Sequence, residues 1–126
     1  MNNTIEDVLI LDVPAGVTVK DARKELRPGR IIGVVVYGED DSNGNSSVVR
    51  LSLKDSTGAD ICKLQNIKNY RSREAAYLVG CKPLDIKGGQ IVTAEVVAKN
   101  AFRGTSFDVI FIYAPEVKAA DTYCGI

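Results

Sequence analysis

The sequence predicts an all-β protein, an antiparallel two-sheet sandwich of jelly-roll type with one short helix near residues 20–27. Three observations carry this. Apolar, β-branched segments of strand length recur, and turn signals separate them at intervals of about 8–15 residues. Only Lys20 to Leu26, stopped by Pro28-Gly29, reads as helical. Strands therefore do not alternate with helices, which argues against a parallel α/β sheet. A closed eight-stranded barrel shares these signals and stays open as the alternative.

In chain order, Ile5 to Leu11 is a short apolar segment and Gly16 to Val19 is another. Ile31 to Tyr37 is β-branched and apolar on both faces, the pattern of a central strand. The stretch 38–47 has no apolar side chain and forms a solvated tip. Val49, Leu51 and Leu53 alternate with Arg50, Ser52 and Lys54, so one face is buried. Asp55-Ser56-Thr57-Gly58 turns the chain, and Ala59 to Leu64 returns as the partner strand. Ala75 to Val79 reads as a shorter strand and Leu84 to Gly89 as a turn. Ile91 to Ala98 is again long and β-branched. Phe107, Val109, Phe111 and Tyr113 form one face of the last strand, which Pro115 ends.

The chain has 126 residues, one ordinary domain spanning 1–126, with possible arms at 1–7 and 116–126. At this size roughly two-thirds of the unfolded surface is buried, so no disulfide framework is needed. Cys62 and Cys81 lie in apolar stretches and are expected to act as small buried hydrophobes. Cys124 lies near the end. No secretory signal and no membrane span is read, so a reducing compartment is expected. Sixteen cationic and 16 acidic residues give zero net charge, which argues against a coat for duplex nucleic acid. There is no His, which removes the usual neutral-pH base and the Ser-His and Cys-His pairs.

No residue is assigned a catalytic role, and no metal or cofactor is expected. Asp41-x-Asn43-x-Asn45 begins like a calcium loop but continues with Ser46 and Ser52 where glycine and glutamate are needed. Gly88-Gly89 lacks the flanking pattern of a phosphate cradle. The candidate partner-binding residues fall into three groups. On a helix, Lys20, Arg23, Lys24 and Arg27 share one face, with Arg30 nearby. That face is either solvated, or docks on an acidic protein surface, or meets the phosphates of a nucleic acid, the last weakened by the lack of an interleaved aromatic. The stretch Lys68 to Glu74 brings Tyr70, Arg71 and Arg73 together, as in a subunit contact, with a sugar- or base-stacking platform as the alternative. Phe102 interrupts a polar connection and either tucks into the sandwich end or projects to a neighbour.

The strands Ile31–Tyr37, Val48–Lys54, Ile91–Ala98 and Phe107–Tyr113, with arm-like ends, resemble the small β-sandwich proteins of tailed-bacteriophage virions: auxiliary, decoration or cement proteins and small head or tail components. The likeness spans about residues 30–115 and carries no residue role across. It implies a non-enzymatic virion protein, assembled in the host cytoplasm, that binds and stabilises a capsid lattice. The expected partners are capsid protein or copies of itself as a homo-oligomer, with no nucleic acid and no membrane. A carbohydrate-binding β-sandwich module is the alternative, weakened by the absence of Trp.

Overall fold

Period-two alternation decides which side chains each strand buries. The computed structural model describes residues 6–38, 47–70 and 81–114. They form β1 (Glu6–Val13), β2 (Val19–Glu25), β3 (Arg30–Gly38), β4 (Val49–Lys54), β5 (Asp60–Asn66), β6 (Lys82–Lys87), β7 (Ile91–Ala98) and β8 (Thr105–Tyr113), with a 3-10 turn at Ile67–Tyr70. Two four-stranded sheets result, ordered β1-β8-β3-β6 and β2-β7-β4-β5. Every pairing is antiparallel. This interleaved order, with most successive strands in opposite sheets, is that of a jelly-roll sandwich. Among the described residues the strands form two separate sheets and not one closed barrel.

The inner faces meet in one core. The first sheet contributes Leu9, Leu11, Val13, Phe107, Val109, Phe111, Ile31, Val34 and Val36; the second contributes Val92, Ala94, Val96, Leu51, Leu53 and Cys62. Burying each large side chain contributes about 1.5–3 kcal/mol. Phe102 closes one end, its ring edge-on to Phe107 at 6.2 Å between centroids. The expected central strand β3 does lie inside its sheet, between β8 and β6.

Three expectations are corrected. Residues 19–25 form an edge strand and not a helix. They pair along their whole length with β7, from Val19↔Val97 to Glu25↔Ile91. The backbone hydrogen bonds that β7 offers outweigh the helix propensity of Lys, Arg and Glu. Residues Leu84 to Lys87, read as a turn, belong to β6, where Leu84 and Ile86 pack on the core and Asp85 and Lys87 face out. Glu6 and Asp7, read as part of an arm, are the first residues of β1. The segments 1–5 and 115–126, the loop 39–46, Ala75–Val79 and Cys124 lie outside the described residues.

Candidate functional site

At the end of the sandwich where β1 begins and β8 finishes, side chains and turns are tied together by hydrogen bonds. Tyr113, the last residue of β8, shares the inward side of Phe111 and is buried. Its hydroxyl lies 2.8 Å from the Arg27 carbonyl and 3.1 Å from Asp7 Oδ2, and donates its proton between these two acceptors. Asp7 Oδ2 also accepts the Arg27 backbone N–H at 2.8 Å, while the Arg27 Nε stands 3.8 Å from Oδ1. Burial pushes the Tyr113 hydroxyl well above its usual pKa; the hydrogen bond and negative charge of Asp7 add to this, and Arg27 opposes it.

Two turns close over this cluster. Gly88 N–H donates to the Gly29 carbonyl at 2.7 Å, and Gly89 N–H to the Leu26 carbonyl at 2.9 Å. A side chain at Gly88 would run into the Arg27 carbonyl, and one at Gly29 would meet the Tyr113 ring at 2.8 Å. Gln90 then ties the β4–β5 turn to the same end, accepting from Ser56 N and Oγ at 3.2 Å and donating to the Lys87 carbonyl at 2.6 Å. Asp55 holds that turn, accepting from Thr57 Oγ1 at 2.6 Å and from the Thr57 and Ala59 amides. Its carboxyl sits below the usual value, chiefly because of the Thr57 hydroxyl.

Beside the cluster lies an open concavity of about 600 Å³ lined by Gly29, Arg30, Asp85, Ile86, Lys87 and Gly88. Arg30 and Lys87 are direct cross-strand partners on the outer face of the first sheet. Arg30 Nε stands 3.3 Å from Asp85 Oδ1, both side chains being mostly exposed. Among the described residues no group of three or more His, Cys, Asp or Glu converges as a metal site. No helix there is long and apolar enough to cross a membrane.

A second feature is the outer face of the same sheet. Register places Ile10, Asp108 and Tyr37 in one row across β1, β8 and β3, and Val8, Ile110 and Val35 in the next. Ile10 is 58% exposed and Tyr37 41%, whereas Val35 and Ile112 are fully buried although they face away from the interior. The outer faces of a two-sheet sandwich are ordinarily polar, so an apolar strip here is unusual.

The strand at 19–25 disperses the basic residues that a helix would have gathered. Lys20 and Lys24 share the side of Ala22, whereas Arg23 lies on the other with Asp21. Arg27 sits in the β2–β3 loop, and only Arg30 joins the concavity. Tyr70 and Phe102 are corrected as contact residues, because both rings are in the core. The Tyr70 hydroxyl donates to the Leu51 carbonyl at 2.9 Å, and Lys82 Nζ stands 5.8 Å from its ring centroid. Burial, then the Cys62 thiol, raises the Tyr70 pKa strongly. Burial also raises Cys62, with Lys82 pulling the other way. Cys62 is buried and Cys81 half-buried. Arg71 and Arg73 lie outside the described residues.

Sequence reasoning missed Asp7, Tyr113, Asp85 and Lys87. Parity carried the signal: Asp7 falls on the side of Leu9 and Leu11, and Asp85 and Lys87 alternate with Leu84 and Ile86.

No family model matches the chain, and no curated protein matches it. Among solved structures, the mitogen derived from Yersinia pseudotuberculosis is similar with a TM-score of 0.44 and 13% identity, over 96% of this chain and 94% of that one. The fold assignment rests on the strand order itself.

Proposed function

We propose that this chain is a non-enzymatic structural protein that works by touching other proteins. Within that class we read it as a virion component, an auxiliary or decoration protein that binds and stabilises a capsid lattice assembled in the host cytoplasm. The supporting observation is the exposure of two apolar side chains, Ile10 and Tyr37, on the outer face of the first sheet, in one row with Asp108. Exposed apolar patches that include an aromatic residue mark contact surfaces. A lattice repeats one weak contact many times, so each contact needs only modest area. The jelly roll is compatible with capsid and lectin roles alike, so the fold alone does not choose between them.

The carbohydrate-binding alternative needs an aromatic platform at the surface. Among the described residues Tyr70, Tyr113, Phe102, Phe107 and Phe111 are buried, which leaves Tyr37 as the exposed aromatic ring. That favours protein contact. The test is gradient sedimentation of the source particles, followed by rebinding of recombinant chain to stripped particles. Wild-type chain is expected to co-migrate with particles, and the Ile10→Asp, Tyr37→Ala double variant to stay at the top with its circular dichroism unchanged. Saturable glycan binding by a chain that ignores particles would overturn the reading.

A further inference from the structure

We propose that the Arg30–Lys87 corner is the docking point for a carboxylate side chain of an acidic protein partner. This deepens, and rests on, the reading of the chain as a contact domain. Arg30 and Lys87 face each other directly across an antiparallel pair. Like charges so placed sit about 4.5–5.5 Å apart at Cβ and destabilise the pairing. Asp85 answers only part of this charge, through Arg30 Nε at 3.3 Å. Neither the terminal guanidinium nitrogens of Arg30 nor Lys87 Nζ has an ion-pair partner among the described residues. Two cations and one carboxylate leave a local charge of +1, which one further carboxylate balances. The free end of the guanidinium presents two parallel N–H groups, the geometry that a carboxylate accepts in bidentate fashion.

The recess beside these heads selects the kind of ligand. Gly29 and Gly88 floor it with bare backbone, and both are held by their close approach to Tyr113 and Arg27. Arg30 is held too, since its carbonyl accepts the Ala114 N–H at 2.8 Å. The recess is open to solvent, whereas a small molecule needs about 70–90% of its surface enclosed to bind well. The anionic group must therefore arrive on something larger. A nucleic-acid duplex is the wrong carrier, because tight binding takes roughly six to ten phosphate contacts and a basic surface. This chain is neutral overall and places the Asp85 carboxylate against Arg30. An acidic protein segment remains.

The test titrates an octaglutamate peptide and, separately at matched ionic strength, inorganic phosphate into the 15N-labelled chain. The peptide is expected to shift the amides of residues 29–30 and 85–88 saturably, and phosphate is not. Arg30→Gln with Lys87→Gln is expected to weaken the peptide about tenfold. Asp85→Asn removes the competing carboxylate and is expected to tighten it several-fold. Equal shifts with phosphate, shifts centred elsewhere, or an Asp85→Asn variant that binds as wild type would each overturn the proposal. The arms separate two failures: loss here with particle binding intact sinks only the corner, whereas a wild-type chain that ignores particles, or an Ile10/Tyr37 variant that still binds them, sinks the contact reading.

Discussion

Asp7 shows how one half-buried carboxylate can organise a sandwich end. Its Oδ2 accepts the Arg27 amide and faces the Tyr113 hydroxyl, with only 12% of its side chain exposed. Asp7→Ala leaves that amide without its acceptor. The expected cost is about 1–3 kcal/mol, read as a lower urea midpoint at unchanged m-value. Thr105 is the opposite case. Its Oγ1 is buried without a hydrogen-bond partner among the described residues. Thr105→Val keeps the shape, suits a strand and removes the orphaned hydroxyl, so a gain of about 1 kcal/mol is expected in the same assay. The two buried tyrosines set the alkaline limit. Tyr70 and Tyr113 both have pKa values raised in the folded state, so the neutral forms support folding. Their contribution is complete below about pH 10, where the unfolded chain also keeps its phenol protons, and falls as pH rises above that. Thermal midpoints should decline above pH 10. Tyr70→Phe should lower the neutral-pH midpoint, by orphaning the Leu51 carbonyl, and flatten that decline.

The glycine pair between β6 and β7 is the test at the level of elements. Gly88 is adjacent to the Arg27 carbonyl with no room for a Cβ, so Gly88→Ala must displace the β2–β3 loop and with it the Asp7 and Tyr113 contacts. Amide hydrogen exchange should rise at residues 26–30 and 87–90, while β4 and β5, joined by their own Asp55 turn, keep their protection. How much was legible beforehand differs between elements for physical reasons. β3, β4, β7 and β8 carry long runs of Val, Ile and Phe whose burial decides their state locally. β2 does not. Six of its seven residues are exposed, so only its register with β7 makes it a strand, and register is not written in the strand itself. The site suffered the same way. Arg30 was visible as a cation, but its partner Lys87 lies 57 positions further along the chain in a strand read as a turn. Lys20, Arg23 and Lys24 on an edge strand are also the kind of charge that discourages edge-to-edge pairing. Reversing Arg23 to Glu should therefore move stability by no more than about 0.5 kcal/mol.

At the scale of the whole molecule, the strand order joins the two ends of the chain. Among the described residues β1 pairs only with β8, and β8 stands between β1 and β3 in its sheet. The first strand thus waits for the last before half the core can close, and such long-range pairing is slow because loop entropy must be lost before contacts repay it. Refolding from urea is expected in milliseconds to seconds, in the range of other all-β domains, with β1 protected late. A chain stopped before Thr105 puts this to the test. It keeps β2, β7, β4 and β5 as a sheet, but β1 loses its β8 partner and the core loses Phe107, Val109 and Phe111. The second sheet then has only the β3–β6 pair and an unpaired β1 to cover its apolar face, so the chain should not fold cooperatively. Collapsed amide dispersion and the absence of a cooperative urea transition are expected for this truncation. A dispersed spectrum for the second sheet would mean that the two layers are independent units and that the sandwich does not fold as a whole.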